Sequence, residues 1–128
     1  IKSFRNLNVA VLGLTFKPGT DDLRAAPSLT NIPIFLEEGA NIKAYDPIGV
    51  DNYKKIYPKE IEYTKTPQDA LKNADVCFIF TEWKEIKDVK PEEYKKLMKT
   101  PLVYDGRNIY SVEEMKKNEV EYYSVGRK

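Results

Sequence analysis

Side chains able to do chemistry are concentrated in Val11–Arg24, VLGLTFKPGTDDLR, at the end of an apolar strand pattern. Val9–Leu12 runs into Gly13 and then into a turn holding Lys17, Gly19, Thr20, Asp21, Asp22 and Arg24, before a helical pattern begins. In open α/β sheets, strand carboxyl ends and helix amino ends converge on a crevice lined by backbone N–H groups, and ligands bind there. Lys17 and Arg24 add two cations, which suits a phosphorylated ligand. Spacing alone leaves two readings open, a phosphate site and an ordinary strand-to-helix loop with solvated charges. The spacing is not the dinucleotide fingerprint G-x-G-x-x-G: Thr15 stands where the second glycine belongs, and the next glycine is Gly19. The loop is therefore not expected to build a complete NAD site.

Three more polar clusters follow strand patterns: Asp46-Pro47, Thr81-Glu82-Trp83 and Asp105-Gly106-Arg107-Asn108. Asp46 occupies the place where an acid would take a ribose hydroxyl in a dinucleotide fold, but with the glycine fingerprint missing a turn role with Pro47 is the better reading. Asp105-Gly106-Arg107 allows a tight turn that exposes the arginine, or a turn closed by an internal ion pair. Asp21-Asp22 could hold magnesium beside substrate phosphates, although capping the next helix and pairing with Arg24 explain the pair equally well. The latter is preferred, and no metal site is expected.

The chain has no histidine. That excludes Ser-His-Asp and Cys-His catalysis within it and removes the commonest zinc ligand. Cys77 is the only cysteine and sits in the apolar run Val76–Phe80, so it reads as an inert core residue with no disulfide partner in the chain. A net charge of +1 offers no global field for nucleic acid or an anionic membrane. Neither a membrane-spanning run nor the apolar centre of a signal peptide is present, so a soluble, cytoplasmic product is expected. With 128 residues, one compact domain is expected. Ile1, without an initiator methionine, suggests a fragment whose residues 1–8 end a connection from an upstream domain, with the domain itself over 9–128.

The elements that would position these clusters are strand-like runs at Val9–Leu12, Ile42–Tyr45, Ile61–Tyr63, Val76–Phe80, Leu102–Tyr104 and Tyr122–Val125, with helical segments between them. Such alternation predicts a three-layer α/β domain of Rossmann type with a six-stranded parallel sheet. Right-handed crossovers favour the order 3-2-1-4-5-6. The first helix has Pro27 at its start and Gly39 past its end, whereas Pro33 inside it predicts a kink or a late start. Thr66-Pro67 opens a short helix ending near Asn73, Pro91 opens one running through Met98, and Ser111 with Glu114 reads as a capping box. Lys54-Lys55 and Lys116-Lys117 read as solvated surface.

GLTFKPGTDDLRAAPS at Gly13–Ser28, EEGANIKAYDP at Glu37–Pro47, NADVCFIFTEWKE at Asn73–Glu85 and VYDGRNIY at Val103–Tyr110 resemble, in order, the C-terminal nucleotide-sugar-binding domain of the UDP-glucose/GDP-mannose dehydrogenase family. The Thr20-Asp21-Asp22 and Ala44–Pro47 variants look most like its UDP-glucose 6-dehydrogenases. Ala25 stands where the family often has Glu, and Ala26 replaces a frequent Ser. The resemblance implies a two-step, NAD-dependent oxidation of the sugar C6 alcohol, UDP-glucose to UDP-glucuronate. The catalytic cysteine and the main NAD site would lie in N-terminal and central domains outside this chain, which would be inactive alone. It further implies that Phe16, Lys17 and Arg107 contact the UDP-sugar, that Arg24 approaches NAD, and that the full-length protein is a homodimer. A stand-alone nucleotide-binding or regulatory module on the same scaffold is the alternative.

Overall fold

A computed structural model describes residues 4–15, 17–19 and 26–124. In chain order the elements are β1 (Asn8–Leu12), α1 (Pro27–Glu37), β2 (Asn41–Tyr45), α2 (Val50–Ile56), β3 (Ile61–Tyr63), α3 (Pro67–Leu71), β4 (Val76–Ile79), α4 (Lys84–Lys87), α5 (Pro91–Leu97), β5 (Leu102–Asp105), α6 (Val112–Lys117) and β6 (Glu121–Ser124). The strands form one all-parallel sheet in the order β3-β2-β1-β4-β5-β6, as expected from the crossover rule. The chain reverses direction across the sheet between β1 and β4. The loops after these two strands therefore flank the crevice.

Alternation along the central strands divides the core between two faces. Ala10, Leu12, Cys77, Ile79 and Val103 pack on one side against α3, α4, α5 and α6 through Leu71, Ile86, Tyr94 and Met115. Val9, Val11, Ile42, Ala44 and Val76 pack on the other against α1 and α2 through Ile32, Phe35 and Tyr53. Cys77 is fully buried, and burial pushes its thiol pKa up. On the first face Tyr110 Oη donates to Val89 O at 2.6 Å and, its proton being engaged, accepts from Tyr94 Oη at 2.8 Å.

The end signals mostly act as read, although of the capping box at Ser111 and Glu114 only the N-cap bond is formed. Gly39 (φ +89°) follows the α1 cap, and the N–H groups of Gly39 and Ala40 close onto Leu36 O and Phe35 O. That left-handed position satisfies two terminal carbonyls. Thr66 and Ser111 accept from the N–H groups of Asp69 and Glu114, and the Lys90 N–H donates to the Glu93 carboxylate. Lys54, Lys55, Lys116 and Lys117 are exposed.

Pro33 is a correction to the late start: α1 runs unbroken from Pro27 to Glu37. The ring lies on the exposed side, where water can take the carbonyl that lacks a donor, while Ile32 and Phe35 hold the buried side. The short helices end at Leu71 and Leu97, slightly earlier than the sequence suggests. The single-turn α4 is an element that the sequence does not announce.

Candidate functional site

The polar clusters meet at the carboxyl edge of the sheet, and Asp46 organises them. Its carboxylate is buried, 4% exposed. Oδ2 accepts from Leu14 N (2.8 Å), Thr15 N (3.2 Å) and Trp83 Nε1 (3.1 Å), and Oδ1 from Ile48 N (3.0 Å) and Gly49 N (2.7 Å). Five N–H donors compensate the removal of one charge from water. The turn reading of Asp46 extends to a larger role, since the same carboxylate ties the ends of β1 and β2 to the segment after β4. Both of its oxygens are engaged by protein N–H groups, which fits this role rather than capture of a ribose hydroxyl.

Thr15 completes this knot. Its hydroxyl lies 3.1 Å from Lys17 O and 3.3 Å from Asp46 Oδ2 and accepts from Trp83 Nε1 at 3.2 Å. Thr81 Oγ1 donates to Thr15 O. Ser28, in the first turn of α1, donates to Leu14 O at 2.7 Å. Gly13 allows the close approach: it has φ +92°, and a Cβ there would lie 2.5 Å from Thr81 Cβ and 2.6 Å from Thr81 N. No side chain fits at that crossing.

Lys17 stands exposed on the turn that this knot anchors. Arg107 comes from the loop after β5, on the far side of β4. There the Asp105 carboxylate, also buried, accepts from Arg107 N (2.7 Å), Asn108 N (2.9 Å), Ile109 N (2.8 Å) and Tyr122 Oη (2.6 Å). The turn is therefore wrapped around Asp105 through backbone N–H groups. Arg107 is not the fully exposed residue the tight turn suggested: its side chain is 27% exposed, Nε donates to Phe80 O at 2.9 Å, and Glu82 Oε2 lies 3.9 Å away. Phe80 O fixes the guanidinium at the junction of β4 and β5.

Lys17 and Arg107 thus belong to loops that leave the same sheet edge after β1 and β5, with β4 between them, whereas Phe16 and Arg24, like Asp21, Asp22 and Ala25, lie outside the described residues. A cleft of ≈ 610 Å³ opens farther along, beside β2 and β3. It sets Asp46, Asp51 and Glu85 against Lys65, an acidic balance that disfavours a diphosphate. Burial, with the charges of Glu85 and Asp46, pushes the Tyr45 hydroxyl up there. Trp83, Thr15 and Thr81 were missed as a unit by sequence reasoning. Their signal was polar residues at the ends of buried strands.

The geometry also decides what the first loop can hold. The N–H groups of Leu14 and Thr15, which would face a pyrophosphate in a dinucleotide site, are engaged by Asp46. These two N–H groups are therefore not free to meet a pyrophosphate. Among the described residues, no group of three His, Cys, Asp or Glu is gathered for a metal ion. No helix in that set is long and apolar enough to cross a membrane.

Comparison with known proteins agrees with this arrangement. The chain is 47% identical over 120 residues to the UDP-glucose 6-dehydrogenase YwqF of Bacillus subtilis and 41% identical over 125 residues to TuaD of the same organism. It covers 27% of each, while 94% and 98% of this chain is matched. Among solved structures, it superposes with a TM-score of 0.84 on the NDP-N-acetyl-D-galactosaminuronic acid dehydrogenase of Methanosarcina mazei Go1, at 27% identity over 99% of this chain and 26% of that one. A UDP-glucose dehydrogenase from Pyrobaculum islandicum gives 0.75 at 26% identity, covering 97% of this chain and 26% of that one. The sheet order, the two basic loops and a family-model match over residues 10–112 lead to one assignment: the chain belongs to the UDP-glucose/GDP-mannose dehydrogenase family, in its UDP binding domain.

Proposed function

We propose that this chain is the substrate-binding domain of an NAD-dependent UDP-glucose 6-dehydrogenase, with residues 9–128 as the domain and 1–8 as the end of a connection from upstream. Lys17 and Arg107 hold the diphosphate and sugar of the UDP-sugar, Phe16 lies against it, and Arg24 approaches NAD bound mainly by the N-terminal domain. The arrangement that carries this reading is the pair of cations on loops that the buried acids Asp46 and Asp105 fold into shape. Positioned cations favour a phosphorylated ligand because less side-chain freedom is lost on binding.

The contribution of this chain is binding and orientation. NAD supplies hydride acceptance in the full-length enzyme, and no hydride or proton step is assigned to the described residues. The reading further places the full-length protein in the cytoplasm as a homodimer. It is supported by the two curated relatives above, both named UDP-glucose 6-dehydrogenases.

Isothermal titration tests it. UDP and UDP-glucose should bind this chain, and mixing it with UDP-glucose and NAD should yield no NADH. Failure of UDP to bind the folded chain overturns the substrate-binding reading, and NADH formation overturns the division of labour between domains.

A further inference from the structure

The loop that carries Arg107 is fastened at both ends by tyrosines. At its start, Tyr122 Oη of β6 donates to Asp105 Oδ2 at 2.6 Å. The same oxygen accepts from Ile109 N, while Oδ1 takes the N–H groups of Arg107 and Asn108. Of these four donors, the Tyr122 hydroxyl is the one supplied by a side chain. At the far end of the loop Tyr110 is buried, with its hydroxyl bonded to Val89 O at 2.6 Å. Its ring stands nearly perpendicular to those of Tyr94 and Tyr122, at 5.5 Å and 6.3 Å between centroids. Tyr122 Oη also lies 3.4 Å from Tyr110 O. One side chain of β6 therefore meets both ends of the loop, and Arg107 stands between them.

We infer that Tyr122 is a positioning residue for Arg107: its hydroxyl sets the plane of the Asp105 carboxylate, and through it the backbone from which the guanidinium reaches a phosphorylated ligand. The inference rests on the reading of Arg107 as a UDP-sugar contact. Packing does not call for the hydroxyl, since a phenylalanine would present the same ring to Tyr110 and to the buried cluster beneath it. The bond itself is short, as expected where a hydroxyl donates to an ionised carboxylate, and such bonds are about twice as strong as neutral ones. It holds the carboxylate against rotation. Farther out, Arg107 Nε donates to Phe80 O at 2.9 Å. With its root set by Asp105 and its Nε set by Phe80 O, the arginine loses little further rotamer freedom when it meets an anion. Loosening the root would return that freedom and weaken the contact.

Tyr122→Phe in the full-length protein tests the role by UDP titration, with Tyr123→Phe as the control for losing a hydroxyl from the same strand. Tyr123 points to the opposite face of the sheet and is 50% exposed. Tyr122→Phe should weaken UDP binding roughly 3- to 10-fold, as part of one charge-assisted hydrogen bond is lost to the ligand, and the control should leave it unchanged. In an Arg107→Ala background, Tyr122→Phe should change the affinity by less than about twofold, because a residue that acts through Arg107 then has nothing to position. A merely structural role gives the same factor in both backgrounds. That result, an unchanged affinity of the single variant, or its failure to fold overturns the inference. Amide hydrogen exchange gives a readout without ligand: the N–H groups of residues 107–109 should exchange at least about threefold faster in Tyr122→Phe, with those of β1 unchanged. Equal protection in the two proteins overturns the inference as well. Absence of UDP binding in the wild-type protein would instead overturn the substrate-site reading, and the role of Tyr122 with it, whereas equal factors in the two backgrounds overturn that role alone.

Discussion

Trp83 donates its indole N–H to Asp46 Oδ2 at 3.1 Å, joining the segment after β4 to the end of β2 above the end of β1. Three non-consecutive stretches of chain thereby share one buried carboxylate. Asp46→Ala would leave five N–H donors without that acceptor, and buried donors cost about 1–3 kcal/mol each when unsatisfied, less where water enters. A loss of at least about 3 kcal/mol is expected in urea unfolding, with Trp83→Phe costing about 1–2 kcal/mol. A near-neutral Asp46→Ala would show that the knot contributes no net stability.

Lys17→Ala and Arg107→Ala should each weaken UDP binding by roughly 10- to 100-fold, the effect of about 1.5–3 kcal/mol for a charge-assisted contact. Lys65→Ala, in the acidic cleft, should leave the affinity unchanged. Titration of the three variants tests the placement of the ligand. A reversed ranking would move it to the β2–β3 side. In the full-length enzyme, Arg107→Ala should raise KM for the UDP-sugar and Arg24→Ala should act mainly on NAD.

Cys77 should resist thiol reagents under native conditions, since it has no exposed surface and burial disfavours its thiolate. Cys77→Ala should lower stability by about 1–2 kcal/mol through lost packing and leave UDP affinity intact. Rapid native labelling would contradict its place between β1 and β5.

Alkaline pH should destabilise the fold through its tyrosines. Burial, with the charge of Glu60, pushes Tyr63 up to about 12, and burial also raises Tyr53, Tyr94 and Tyr110 from their ordinary 10.0. The protonated forms belong to the folded state. Their contribution is therefore complete below about pH 10 and is lost as pH rises through the folded values. Unfolding midpoints from pH 9 to 12 should fall, and Tyr63→Phe should reduce the slope. A flat profile would place these hydroxyls in water.

The strands were readable because a doubly covered parallel sheet demands uninterrupted apolar runs such as Val9–Leu12 and Val76–Ile79, and the handedness of crossovers then leaves few orders. Lys17 and Arg107 were readable as charges following strands. The work of Asp46 and Asp105 was not, because their partners are mainly backbone N–H groups, which residue types do not reveal. Trp83 was read with the polar cluster that follows β4, and only the fold brings its N–H to Asp46. Pro33 misled because local propensity takes no account of which side of the helix faces water.

By engaging the Leu14 and Thr15 N–H groups, Asp46 acts as a resident anion where a nucleotide-binding loop of this architecture would await a phosphate. The base of the ligand loop is consequently assembled before any ligand arrives, and affinity does not have to supply the ordering of that backbone. On the proposed substrate-binding reading, recognition falls to side chains farther along the turn, such as Lys17. Those positions can be exchanged for a different sugar or base while the foundation keeps its shape, a separation that lets specificity drift without loss of the fold.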